Sequence, residues 1–304
     1  MSMSPPLVSI IMNCYNGERF LRQAIDSVYA QSFRDWEIIF WDNGSTDNSA
    51  AIAQSYDQRL RYFLAEKTTP LGEARNLALQ QVRGRYLAFL DTDDCYLPHK
   101  LATQVAQLEQ EDIALCYSSA IFINEDNRVI RHYRVREARG DLLATLLERY
   151  EINMQSVMLR YQLLQDEGLQ FDTSLHYCPD RNLFQLIAAR YPIAAMSEPL
   201  VQYRIVKGSL SSKTVDLAAS EIGYTLDKLV AENPGIVQRC AQPLQKAYDK
   251  LHYYRAIAAL THRQRREAQS HIDVVRWKRW QYLLLSLLIS LPLPPQWLLR
   301  LVKR

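Results

Sequence analysis

Through its first 120 residues the chain alternates short apolar runs with longer amphipathic segments, and this alternation restricts the possible folds more than any other feature. The run "LVSIIM" precedes "GERFLRQAIDSVYAQ", in which Phe20, Leu21, Ala24, Ile25, Val28 and Tyr29 recur at helical spacing. "WEIIFW" then reads as a strand, "TDNSAAIAQSY" as a helix opened by a capping residue, and "LRYFL" as a strand. "GEARNLALQQV" is helical, "RYLAFL" is a strand, Pro98 opens the helix "PHKLATQVAQLEQ", and "IALCYSSAIFI" is again strand-like. Strands alternating with helices predict an α/β fold, a doubly wound and mostly parallel sheet with helices on both faces.

Ligands of such sheets bind outside the carboxyl ends of the strands. The segments at those ends are "NCYNG", "DNGSTD" and "DTDD", so Asp42 and Asp47 are expected near Asp91, Asp93 and Asp94. Three carboxylates at the mouth of a buried strand repel one another and call for a positive partner. A D-x-D in that place suits a hard divalent cation, Mg2+ or Mn2+, shared with substrate phosphates. A solvated turn capping the next helix is the plainer reading of the same tripeptide. An EF-hand is excluded, because Cys95 and Tyr96 stand where its loop needs an oxygen ligand and a glycine.

Beyond about residue 125 the alternation fails. "INEDNRVIRHYRV" reads as a hairpin turning at Glu125 to Asn127, "DLLATLLERY" as a helix, "NMQSVMLR" as a strand and "PDRNLFQLIAARY" as a helix. From about residue 215 the pattern is helical. The expected organisation is one domain over 1–214 and a helical extension over 215–304. With 304 residues, 48% hydrophobic, the chain can bury a core of that size.

A net charge of +3 gives no reason to expect a nucleic-acid partner, but the charge is unevenly spread. Residues 251–304 carry ten bases and two acids, leaving the remainder at net −5. The ending "RWKRWQYLLLSLLISLPLPPQWLLRLVKR" holds ten nearly unbroken apolar residues from Tyr282 to Leu291. As a helix they span about 15 Å, roughly half a hydrocarbon core, before Pro292, Pro294 and Pro295. A transmembrane helix is disfavoured. The tail is expected to lie on a membrane surface, with Trp277, Trp280 and Trp297 at headgroup level and the bases on anionic lipid. A helix packed on the body is the alternative. Cysteines 14, 95, 116, 178 and 240 have no zinc spacing and read as reduced thiols. The N-terminus carries no signal-peptide pattern, so a cytoplasmic protein, peripheral on the inner membrane face, is expected.

Four motifs, in order, resemble the inverting nucleotide-sugar glycosyltransferases of family 2, which have the GT-A fold. They are "VSIIMNCYNGERFLRQAIDSVYAQSFRDWEIIFWDNGSTDNS", "LGEARNLAL", "YLAFLDTDDCYLPHKL" and "LVQYRIVKGSLS", covering roughly Leu7 to Ser211. The resemblance implies that Asp42 contacts the nucleotide base, with Tyr15 and Asn16 bordering it. A carboxylate there accepts the imide N–H of uracil or thymine, which favours a UDP or dTDP donor. Asn43 stands where many members have a second Asp. The resemblance further implies that Arg75 lies near base and diphosphate, unless it is a helix-surface residue. It implies that Asp91 and Asp93 hold the metal and diphosphate, Asp93 being the stronger ligand. Asp94 is expected to cap the next helix or support the metal.

Inverting transfer is a direct displacement, and a carboxylate takes the acceptor's proton. Asp180 matches the family's base, with Pro179 where Glu is usual; an N-cap role is its plain alternative. Arg204 is expected to approach the diphosphate. Val206 replaces a frequent His and coordinates nothing, which leaves Lys207 to supply charge and puts metal affinity in question. The implied activity is transfer of a sugar, with Mn2+ or Mg2+, to a saccharide or polyprenyl-linked acceptor in surface-glycan synthesis. A catalytically degenerate sugar-nucleotide-binding adaptor and a nucleotidyltransferase are the competing readings.

Overall fold

The computed structural model describes residues 5–110, 112–208 and 217–291. The chain divides into two units, Met1–Leu142 with Glu151–Ser209, and Leu143–Tyr150 with Leu210–Arg304.

The first unit is built on one sheet. Its strands are β1 (Val8–Cys14), β2 (Trp36–Asp42), β3 (Leu60–Leu64), β4 (Tyr86–Phe89), β5 (Cys95–Tyr96), β6 (Leu115–Ile123), β7 (Val129–Tyr133), β8 (Ala138–Gly140), β9 (Met158–Arg160) and β10 (Ile193–Arg204). Their order is β3-β2-β1-β4-β9-β6-β10-β5, with β7 beside β6 and β8 beside β10. The long strands run parallel: β1 pairs β2 from Val8↔Trp36 to Cys14↔Asp42, and β6 pairs β10. β9 enters between β4 and β6, antiparallel to both. Only the last three residues of the strand expected over 153–160 form it. Met154–Ser156 is a 3-10 turn, because Asn153 Oδ1 accepts the Gln155 N–H at 3.1 Å and bends the chain ahead of β9.

Side chains alternate across each strand, and both faces are covered. Helices α1 (Glu18–Tyr29) and α4 (Lys100–Gln110) pack Leu21, Ile25, Leu101 and Leu108 against Val8, Ile10, Met12, Ala88 and Leu90. On the opposite face, Phe89 meets Phe171 at 5.8 Å and Phe184 of α7 (Pro179–Arg190) at 6.2 Å between ring centroids. Helices α2 (Ser49–Gln54), α3 (Leu71–Leu79) and α6 (Tyr161–Asp166) complete the unit. Asp47, just before the Asn48 N-cap of α2, accepts the Ser49 N–H through Oδ1 and the Glu18 N–H that opens α1 through Oδ2.

The second unit gathers α5 (Leu143–Glu148), α8 (Ala218–Glu232), α9 (Ile236–Arg239), α10 (Ala241–Thr261), α11 (Arg265–Val275) and α12 (Trp280–Ser290). Segment 143–150, expected with the first domain, groups here through α5 on α10 and the Lys246–Glu148 ion pair at 2.7 Å. The apolar run of the tail is partly core. Tyr282, Leu285 and Ile289 pack with Ala256, Leu260, Ala268 and Ile272, and Arg265 Nε donates to the Ile289 carbonyl at 2.6 Å. Leu284, Leu287 and Leu291 of the same run stay exposed with Trp277 and Trp280. Among the described residues no helix is long and apolar enough to cross a membrane. Pro292, Pro294, Pro295, Trp297 and the closing bases lie outside the described residues. All five cysteines are free and buried.

Candidate active site

The carboxyl ends of β1, β2 and β4 bring three loops together. Gly17, in the loop after β1, approaches the acidic loop so closely that a Cβ there would lie 2.7 Å from Thr92 Oγ1. The same loop is tied to the one after β2. Asn16, with φ of 53°, accepts the Thr46 N–H through Oδ1 at 2.8 Å, and its own N–H donates to Ser45 Oγ. Tyr15 stays exposed beside them, 59% accessible.

Asp42 does not sit open to a ligand. It is fully buried, its Oδ1 accepting the Ser45 N–H at 2.7 Å and its Oδ2 accepting the Tyr62 hydroxyl at 2.7 Å. Burial, and then the hydrogen bond to Asp42, push the Tyr62 phenol upward. Asn43 is likewise turned inward, onto the Thr69 backbone. Asp47, expected among the site acids, is engaged by the Glu18 and Ser49 N–H groups at the starts of α1 and α2.

The three carboxylates of the acidic loop have three different environments, which is how they coexist. Asp91 is held by Gln155: the amide donates to Oδ2 at 2.5 Å and accepts the Asp91 N–H at 2.8 Å. Arg75 approaches from the other side, Nη2 to Oδ1 at 3.6 Å. The helix-surface reading of Arg75 is overturned, since it is only 5% exposed and lies over the Phe171 ring at 5.4 Å. Asn76, its neighbour, explains why that ring stays put. Its side chain donates to the Phe171 carbonyl and accepts the Phe171 N–H.

Asp94 is buried, and its Oδ1 accepts the Arg204 N–H at 2.6 Å. Burial, then Asp93 and Asp91, push its carboxyl well above the usual range. It caps no helix, because α4 starts six residues later at Lys100. Asp93 is different again. Among the described residues its carboxylate hydrogen-bonds no other side chain, and desolvation followed by the neighbouring Asp91 pushes it up to about 6. A divalent cation at Asp93 would relieve both causes, so the donor set fits Mn2+ or Mg2+. No group of three His, Cys, Asp or Glu ligands exists among the described residues, so phosphate oxygens and water would complete the shell.

Arg204 departs from expectation. Its guanidinium is 2% exposed and committed to the protein: Nε donates to the Asp93 carbonyl, Nη1 to the Asn124 carbonyl and Asn127 Oδ1, and Nη2 to Gln23 Oε1. It stacks on Phe20 at 4.4 Å. With its donors engaged, it braces the acidic loop. Val206 follows it, and the Lys207 N–H donates to Glu125 Oε1.

Asp180 lies in the first turn of α7 behind Pro179, with Cys178 as the N-cap, so the capping alternative falls. Desolvation raises its pKa, Arg75 opposes that rise, and Asp91 adds to it. Arg75, Asp91 and Asp180 therefore feel one another's charge. Of the expected residues, the structure joins Asp91, Asp93, Arg75 and Asp180. Tyr15 and Asn16 lie on the loop whose Gly17 packs on the acidic loop at Thr92, and Asp42 and Arg204 are buried. Sequence reasoning missed Gln155, Tyr62 and Asn127, none of which stands in a recognisable pattern. Asn76 was visible in "GEARN" but had no assigned part.

A sequence model of the family described as Glycosyl transferase family 2 matches residues 9–164. The chain is 34% identical over 128 residues to the Escherichia coli "UDP-Glc:alpha-D-GlcNAc-diphosphoundecaprenol beta-1,3-glucosyltransferase WfgD", covering 42% of this chain and 51% of that one. It thus spans about half the length of that curated relative. Among solved structures, S. aureus TarS 1-349 in complex with UDP-GlcNAc aligns with a TM-score of 0.61 and 19% identity, over 88% of this chain and 89% of that chain. The mannosyltransferase PcManGT from Pyrobaculum calidifontis, in complex with GDP-Man and Mn2+, aligns at 0.63 and 16%, over 99% and 80%. At these identities the likeness is one of fold, the mostly parallel GT-A sheet followed by C-terminal helices.

Proposed function

The chain belongs to glycosyl transferase family 2, and on that premise we propose that it moves a sugar, with inversion, from a UDP or dTDP donor to a hydroxyl of a saccharide or polyprenyl-linked saccharide in surface-glycan assembly. The observation that carries this reading is Asp93, a partly buried carboxylate that hydrogen-bonds no other side chain among the described residues, beside Asp91 at the carboxyl edge of the sheet. Two like charges in that position await a cation that also grips phosphate. Mn2+ or Mg2+, when bound, neutralises the diphosphate as it leaves.

In this reading the protein's own groups divide the remaining work. Arg75, fixed over Phe171, presents positive charge between Asp91 and the diphosphate. Asp180 takes the proton of the attacking hydroxyl, a task its raised pKa suits. Asp42, through Ser45, holds the loop that borders the base, and Arg204 holds the acidic loop from behind. The uridine donors in the names of the E. coli relative and the TarS complex support a pyrimidine nucleotide, and the Mn2+ in the PcManGT complex supports the metal. The diphosphoundecaprenol acceptor named for the E. coli enzyme supports a lipid-linked acceptor. The solvent-facing Trp277, Trp280, Leu284, Leu287 and Leu291, with Arg276, Lys278 and Arg279 among them, support a peripheral site on an anionic cytoplasmic leaflet.

The test is nucleoside-diphosphate release from UDP- and dTDP-sugars. Release that needs Mn2+ or Mg2+ and disappears in Asp93→Ala is expected. Turnover that survives both EDTA and Asp93→Ala would overturn the reading.

A further inference from the structure

We infer that the arginine-rich return strand of the β6–β7 hairpin is a docking surface for an acceptor that carries several phosphates along its length. The inference rests on the glycosyl-transfer reading for the word acceptor, and on the hairpin itself for the rest.

Residues 128–136 hold four arginines, Arg128, Arg131, Arg134 and Arg136, and no acid. All four are exposed. Five other arginines of the unit are matched with acids: Arg19 with Glu125, Arg59 with Asp57, Arg61 with Glu37, Arg85 with Glu109 and Arg190 with Glu167. Among the described residues the side chains of Arg128, Arg134 and Arg136 have neither ion pair nor hydrogen bond. Arg131 lies over the Phe122 ring at 4.5 Å, which fixes its guanidinium plane and leaves its N–H donors free for an oxyanion. Outside the basic ending the chain is net negative, so this concentration of positive charge is local. Four like charges within nine residues cost stability unless a counter-charge arrives.

The hairpin is also in the right place. Its turn, at Asn124 to Arg128, lies at the carboxyl edge, and Asn127 takes a φ of 63° there. Arg204 links that turn to the acidic loop, donating to the Asn124 carbonyl, Asn127 Oδ1 and the Asp93 carbonyl with one guanidinium. A molecule lying along β7 therefore has one end beside Asp93.

The chemistry of the occupant follows from the charge pattern. A guanidinium pairs with a phosphate in a bidentate, charge-assisted fork, and each phosphate set into a chain keeps one negative charge. Nine residues of chain span at most roughly 30 Å. A single small anion would satisfy one or two of these arginines, whereas a chain with phosphates at intervals meets them all. The apolar Val129 and Ile130, about half exposed between the arginines, offer contact to the uncharged links.

The experiment titrates the full chain with short-chain inorganic polyphosphate, alongside UDP with Mn2+. Wild type is expected to bind polyphosphate with an affinity that falls as salt rises. Arg131→Gln/Arg134→Gln/Arg136→Gln should weaken it about tenfold or more, with UDP affinity unchanged. Arg134→Gln/Arg136→Gln, which leaves the Arg131–Phe122 stack in place, should fall between. Wild type that binds no polyphosphate, or variants that bind as tightly as wild type, would overturn the docking surface and leave the donor reading standing. So would phosphatidylglycerol vesicles that hold the protein through these same arginines and are not displaced by polyphosphate. Arginine-dependent polyphosphate binding by a chain that binds no nucleotide would remove the acceptor role and sink the donor reading instead.

Discussion

Gln155 grips Asp91 at both ends, its amide N–H donating to the carboxylate at 2.5 Å and its carbonyl accepting the backbone N–H at 2.8 Å. The amide is 2% exposed and is set by the 3-10 turn that Asn153 starts. One residue thereby fixes both the position of the acidic loop and the direction of its first carboxylate. Gln155→Leu leaves the Asp91 N–H without its partner and the carboxylate free to turn. The expected result is roughly a 10–100-fold rise in the Mn2+ concentration needed for half-maximal donor turnover. A metal titration of turnover checks it, and an unchanged midpoint in a folded variant would remove Gln155 from the site.

Asp180→Asn keeps the shape of the first turn of α7 and removes the proton acceptor. Turnover should fall by about 10²–10⁴, while donor and metal affinity, measured by calorimetry, hold. Arg75→Met should act oppositely, weakening donor binding, and should raise the Asp180 pKa, because Arg75 is what opposes its desolvation. A turnover loss confined to donor affinity in Asp180→Asn would show that the residue is not the base.

Lys100 gives a stability signature separate from activity. It is fully buried against Tyr96, at 4.2 Å from the ring centroid, with Gln104 as its hydrogen-bond partner. Desolvation drives it down to about 7, with only Cys116 pulling the other way. Its unfolded value lies near 10.4. Below pH 7 the folded chain carries the full penalty of a buried ammonium. Between about 7 and 10 the unfolded chain binds the extra proton, so stability rises with pH, by up to about 1.4 kcal/mol per unit. Urea unfolding of wild type and Lys100→Met across pH 6.5–9 should show the difference shifting in favour of wild type as pH rises. A constant difference would mean that Lys100 finds a counter-charge.

Trp277 and Trp280 are 74% and 72% exposed, whereas Tyr282, Leu285 and Ile289 hold the second unit together. Deleting the tail from residue 276 would therefore remove core as well as the membrane face. Trp277→Ser/Trp280→Ser isolates the surface. Sedimentation with vesicles containing phosphatidylglycerol should decline several-fold, because each tryptophan removed takes away apolar area that the interface would bury, while the melting temperature stays within about two degrees. Equal sedimentation of the double variant would discount the surface.

Strand and helix periodicities are short-range patterns, written in residues two to four apart. That is why the α/β alternation, the carboxyl-edge loops and the acidic turn could all be read from the chain directly, and why four ordered motifs sufficed to point to the family. What those residues touch was settled only by pairing over long separations. Gln155 reaches Asp91 across 64 positions, Arg204 reaches Asp93 across 111, and Tyr62 occupies Asp42 from a neighbouring strand. No local pattern records such partners, because they follow from strand register and sheet order. The same holds for the apolar tail: composition marked it as apolar and basic, but only helix packing decided that Leu285 and Ile289 are core while Leu284 and Leu287 face solvent. Burial is a property of the assembled unit, and it alone separates a carboxylate that braces a loop from one left open for a cation.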